Sequence, residues 1–174
     1  TVEYPARFML VASMNPCPCG NYGSGVECTC TPAQINKYMS RISGPLLDRI
    51  DIHIEVGGVT YDDLSSSEES ESSAVVRERV NAARKRQTER FAGAGIHCNA
   101  QMNASQLAEF CKVDAASEAL LRTAFTRLGM SARAYTRILK VARTIADLEG
   151  SGSIEKKHLA EAIQYRSLDR RKAL

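Results

Sequence analysis

"RFMLVASMNPCPCGNYGSGVECTC", residues 7–30, runs an apolar segment straight into four cysteines. The segment 7–15 is short, nearly continuous in apolar residues, and stops at the amide of Asn15 with a proline behind it. A strand buried on both faces reads this way, so a strand is expected over 7–15. The cysteines form two C-x-C pairs, Cys17 with Cys19 and Cys28 with Cys30, around a loop broken by Gly20, Gly23 and Gly25.

Four thiolates on a glycine-rich loop can surround one tetrahedral Zn²⁺, in a site closed by sulfur alone. C-x-x-C is the commoner knuckle, but a C-x-C pair can also give two ligands to one ion. Metal-free thiols are the second reading of the cluster. Disulfides come third, because nothing in the sequence points to an oxidising compartment. A closed four-sulfur site would pin a loop and would not activate water, so any chemistry has to lie in other residues. Cys98 and Cys111 stand alone and read as ordinary core or surface cysteines.

Outward from the cysteines, "TPAQINKYMSRIS" opens a helix, with Thr31 as its cap, Pro32 at the first helical position and Gln34 completing a capping box. Ile35, Tyr38, Met39 and Ile42 repeat at helical spacing, and the helix is expected to end near Ser43, Gly44 and Pro45. "PLLDRIDIHIEV", residues 45–56, then alternates Ile50, Ile52, Ile54 and Val56 with Asp51, His53 and Glu55. That period of two predicts a second strand over 50–56. Beyond the acidic, serine-rich stretch 62–71 the chain reads as helices, opened in turn by Asn103 with Gln106, by Asp114, by Ser131 and by Ser153. Gly129 and Gly150 stop the two longest of these. In the helix after Ser131, Tyr135, Ile138, Ala142 and Ile145 make an apolar stripe, and Arg133, Arg137 and Lys140 lie on another face.

The chain has 174 residues, 44% hydrophobic and 25% charged, which is the composition of a soluble globular protein. No apolar run is long enough to cross a bilayer, so no membrane partner is expected. No basic leader precedes the first apolar run, so a cytoplasmic location is expected. The net charge of +3 does not by itself argue for nucleic acid. Residues 77–90 are strongly basic, and they read as a solvated helix face, with DNA contact through Arg84 and Lys85 as the alternative. The chain does not begin with Met, and a piece of a longer polypeptide is expected.

Three polar residues sit at predicted element ends. Asn15 can hold a water or a phosphate oxygen at a sheet edge, or it can simply begin an Asn-Pro turn. Arg49 can reach a neighbouring subunit as an arginine finger, or it can pair with Asp48 or Asp51. Arg133 falls in the first turn of its helix, where the dipole disfavours a cation, a weak sign that it faces an anion.

Taken in order, "FMLVASMNPCPCG", "CTPAQINKYMSRISGPLLDRIDIHIEV" and "LGMSARAYTRILKVARTIADLEGSGSIEKKHLAEAIQYR" closely resemble the C-terminal part of the Mg-chelatase-like AAA+ ATPases of the ComM or YifB type. The resemblance covers nearly the whole chain and is weakest over 61–73. It implies an α/β piece plus an all-α part: residues 1–60 as the end of an AAA+ core with two strands, one or two helices and the cysteine-rich loop, 61–73 as a linker, and 74–174 as a helical lid. It implies that Asn15 is the sensor 1 residue that orients the attacking water, Arg49 the arginine finger, and Arg133 the sensor 2 arginine that touches nucleotide phosphate. ATP and Mg²⁺ as cofactors, a hexameric ring, and a DNA motor promoting branch migration in natural transformation are implied for the parent. A chelatase-type subunit, an ATP-dependent protease-like remodeller, and a zinc-stabilised binding module remain the rival functions.

No G-x-x-x-x-G-K-[ST] loop occurs in the 174 residues, nor an apolar strand ending in paired acids. Without the phosphate-binding loop, the chain alone is expected not to hydrolyse ATP. In an AAA+ core the strand of that loop lies between the two strands predicted here. Those two would therefore have to pair differently, recruit another chain, or leave their edges exposed.

Overall fold

The capping chemistry forms as the sequence predicts. In the computed structural model Thr31 and Gln34 bond reciprocally, Gln34 N–H to Thr31 Oγ1 at 3.3 Å and Thr31 N–H to Gln34 Oε1 at 2.8 Å. Asn103 and Gln106 do the same at 3.0 Å each way. Asp114 accepts from Ser117 N–H at 2.7 Å and Ser131 from Ala134 N–H at 3.1 Å. Each cap meets donors that the first helical turn leaves without an internal partner.

The structure describes residues 1–4, 6, 8–59, 61, 65 and 70–166. Among them the helices are α1 (Pro32–Met39), α2 (Gly44–Leu47), α3 (Ser73–Arg90), α4 (Ala104–Phe110), α5 (Ala115–Leu128), α6 (Ala132–Glu149) and α7 (Lys156–Gln164), with a 3₁₀ turn at Asn99–Gln101. The predicted linker, 61–73, falls largely outside the described residues.

The chain divides into two units. The first comprises Thr1–Ile42 and Gly57–Thr60, the second Ser43–Val56 and Tyr61–Leu174. In the second, α6 is the central helix and packs on α3, α4, α7 and the 3₁₀ turn, while α5 packs on α7. Ala142, Ala146 and Leu159 are fully buried. Around them lie Leu121, Met130, Ile138, Leu139, Ile154 and Ile163, and Phe91 meets Phe110 edge-on at 5.6 Å. The predicted stripe holds at Ile138 and Ala142, with Tyr135 and Ile145 half-buried at its edges. Gly150 ends α6 at φ +84°, a conformation that few other residues adopt cheaply.

The expected α/β core does not form. Among the described residues there is no strand and no sheet, and the architecture is helical. Of the predicted strand 7–15, Arg7 lies outside the described residues. The rest has no regular secondary structure, with Phe8, Met9 and Val11 at least 75% exposed. The second predicted strand, 50–56, is overturned in a more instructive way. Its apolar members Ile52, Ile54 and Val56 are exposed, and the residue it buries is His53, through one isolated parallel bridge to Arg166. A strand satisfies its backbone only against a neighbour. Among the described residues, neither segment has a neighbouring strand to join.

Two boundaries also differ. The helix from Thr31 ends at Met39, and Ser43 caps the separate short α2. The last helix begins not at Ser153 but after Glu155, whose N–H donates to His158 Nδ1 at 2.9 Å. The imidazole takes the part that the third helical residue's side chain plays in a capping box, accepting from the cap residue's own N–H.

Candidate functional site

In the first unit, the backbone gathers the four predicted sulfurs. Cys17 C=O accepts from Gly20 N–H at 3.1 Å, which folds the first C-x-C pair into a turn. Gly20 sits at φ +86°, and its open face lies against the Asn15 side chain. Ser24 N–H donates to Asn21 C=O at 3.1 Å and Asn21 Nδ2 to Glu27 C=O at 3.3 Å, which closes the loop and returns the chain to Cys28.

The sulfur of Cys17 lies 3.4 Å from that of Cys19 and 3.8 Å from that of Cys28, and those of Cys19 and Cys28 are 3.6 Å apart. All four lie within 4.8 Å of one another. A disulfide needs about 2.05 Å between sulfurs, so these are four free thiols and not bridges. A tetrahedral Zn²⁺ with Zn–S bonds of about 2.3 Å spaces its ligands about 3.8 Å apart, which the observed separations approach. The donor set therefore fits zinc.

The electrostatics of the cluster lead the same way. The backbone N–H of Asn21, with the Cys17 thiol behind it, holds Cys19 down to about 5. At Cys30 the backbone N–H of Cys19 pulls the thiol down, but desolvation and the neighbouring sulfurs outweigh it and push it up to about 12. Desolvation pushes Cys17 up, but the backbone N–H of Tyr22 and the Cys28 and Cys30 sulfurs outweigh it and hold it below its ordinary value, while Cys28 is pushed above its own. Packed sulfurs cannot all carry charge unaided, and a divalent cation lets them do so together.

The candidate phosphate-facing residues are placed as follows. Asn15 lies in the first unit, exposed, at the end of the apolar segment. Arg49 and Arg133 lie in the second, both exposed. Arg49 follows α2, and its Nη1 donates to Pro45 C=O at 2.7 Å. The flanking acids that could have neutralised it are engaged elsewhere, Asp51 by Arg137 and Asp48 by Arg166. Arg133 stands in the first turn of α6, and no ion pair engages it among the described residues.

Sequence reasoning missed a buried network in the second unit. Asp147, with its side chain fully buried, pairs with Arg90 through both carboxylate oxygens and with Arg143 at 3.2 Å. It also accepts from Asn99 Nδ2 at 2.8 Å. Arg143 in turn donates to Gly152 C=O at 3.0 Å and Ser151 C=O at 2.7 Å. Burial pushes the Asp147 carboxyl up, but the donors on Arg90 and Asn99 and the two guanidinium charges hold it below the usual range. The i, i+4 spacing of Arg143 and Asp147 beside the apolar stripe was the available signal. The network binds α3, the 3₁₀ turn and α6 together and has a structural role.

Two family models match the chain, "Magnesium chelatase, subunit ChlI" over residues 1–64 and "Magnesium chelatase, subunit ChlI C-terminal" over 70–166. Over 170 residues, 97% of this chain, it is 44% identical to the uncharacterized protein YifB of Escherichia coli and 45% identical to the competence protein ComM of Haemophilus influenzae. An uncharacterized protein of Mycobacterium tuberculosis is 35% identical over 169 residues. The chain spans 32–33% of the length of these relatives.

Proposed function

Since the chain belongs to the magnesium chelatase, subunit ChlI C-terminal family, we propose that it is the C-terminal part of a ring-forming AAA+ ATPase of the ComM type. The observation that carries this is the order of the two matches, the core family over 1–64 and its C-terminal family over 70–166, on a chain without a phosphate-binding loop. The parent would use ATP and Mg²⁺, assemble as a hexamer, and remodel DNA in the cytoplasm. The name of the Haemophilus relative, a competence protein, supports a role in natural transformation.

In this reading Asn15 orients the attacking water, Arg49 is offered to the neighbouring subunit's nucleotide, and Arg133 contacts nucleotide phosphate. The exposure of both arginines, with no acid neutralising either among the described residues, supports those roles. Cys17, Cys19, Cys28 and Cys30 would hold one Zn²⁺, which would fix the loop behind Asn15 and take no part in hydrolysis.

Steady-state ATP hydrolysis by the full-length parent tests the reading. Arg49→Ala should lower kcat by about 10³-fold, as loss of an arginine finger does, and the 174-residue chain alone should be inactive. Hydrolysis by this chain alone, or an Arg49→Ala parent with unchanged kcat, would overturn it.

A further inference from the structure

Arg49 and Arg133 are 84 positions apart, yet the segments that carry them are fastened together. From one side, Arg137, one turn along α6 from Arg133, pairs with Asp51, two residues beyond Arg49. From the other side, Arg166 follows α7 with its side chain fully buried. Its Nη1 donates to Ile50 C=O at 2.6 Å, and its Nη2 lies 3.8 Å from the Asp48 carboxylate. His53 completes the attachment, with its N–H donating to Tyr165 C=O at 2.7 Å and its ring 3.3 Å from Leu47 C=O. A buried guanidinium is costly unless its donors are met. Here the Ile50 carbonyl accepts from Nη1, while the Asp48 carboxylate faces Nη2 at ion-pair distance, beyond hydrogen-bond reach, so the charge of Arg166 is answered by this segment.

We propose that Arg166 and the Asp51–Arg137 pair are positioning residues that lock the Arg49 segment to the helix bearing Arg133, so that both arginines move as one body. This rests on the reading of Arg49 and Arg133 given above. Residues 43–56 belong to the same compact unit as the helices, in keeping with that lock. In a ring, a shift of the helix that bears Arg133 would then displace Arg49 with it, without an intervening hinge.

Two measurements test it. In this chain, amide hydrogen exchange should show the His53 N–H protected relative to residues 8–14. Arg137→Glu should speed exchange over 50–53 by roughly threefold, the scale of a partly exposed ion pair. The charge swap Asp51→Arg with Arg137→Glu should restore the slower rate. Exchange at His53 as fast as over 8–14, or no response to Arg137→Glu, would overturn the lock. Because the pair is partly exposed, these variants serve even where Arg166→Lys fails to fold.

In the full-length parent, Arg137→Glu should lower kcat while KM for ATP stays near wild type, and the swap should recover kcat. Arg49→Ala in the same assay separates the two failures. If it leaves kcat unchanged, the finger reading falls and the positioning role falls with it, while the exchange data still judge the lock. If it abolishes turnover and Arg137→Glu changes nothing, the positioning role is overturned and the finger reading stands.

Discussion

The two units draw on similar apolar residues and use them differently. In the second unit, Leu121, Ile138, Leu139 and Leu159 are nearly or fully buried. In the first, Phe8, Met9 and Val11 are exposed, and the one apolar side chain fully withdrawn from solvent among its described residues is Cys17. The difference lies in backbone hydrogen bonding. A helix meets its own backbone donors and acceptors and needs only a packing surface, which neighbouring helices provide. A strand needs a second strand before its apolar faces can pack. One unit is thus held by its own core, and the other gathers around four sulfurs.

That contrast can be broken most forcefully inside the helical unit. Asp147→Ala would leave Arg90 and Arg143 without their shared carboxylate, so unfolding free energy should fall by about 3–5 kcal/mol, read from a shifted urea midpoint. Leu159→Ala, at a fully buried core position, should cost about 3 kcal/mol in the same titration.

Acid offers a third handle. The folded Asp147 carboxyl lies below its unfolded value, so its stabilisation is complete above the unfolded range near about 3.9 and is lost as pH falls through the lower folded value. Midpoints between pH 5 and 2 should therefore fall more steeply for wild type than for Asp147→Ala. Ser131→Ala removes the cap of α6 and should cost about 1 kcal/mol. The smallest effect belongs to the first unit: Val11→Ala should change stability by less than about 0.5 kcal/mol, because Val11 is exposed. A loss near that of Leu159→Ala would mean that the apolar segment packs after all.

Much of the helical unit was legible because its signals are local. Asn103, Asp114 and Ser131 announce their helices, and Gly129 and Gly150 close them within one turn of chain. The four cysteines were legible as a cluster for the same reason. The two strands were misread because their signal is conditional. Apolar continuity over 8–14 and alternation over 50–56 say what a segment could bury, not whether a partner strand exists to bury it. The attachments of Arg166 to Ile50 and of Arg90 to Asp147 span 116 and 57 positions, and no local pattern marks such pairs.

The central claim is that the cysteine unit depends on a bound ion while the helical unit does not. Metal analysis of the purified chain, followed by hydrogen exchange with and without a chelator, tests it directly. The account predicts one Zn²⁺ per chain, and on chelation a loss of protection over residues 15–31 while α5, α6 and α7 keep theirs. A chain that carries no zinc yet protects 15–31, or one whose helices lose protection along with the loop, would contradict it.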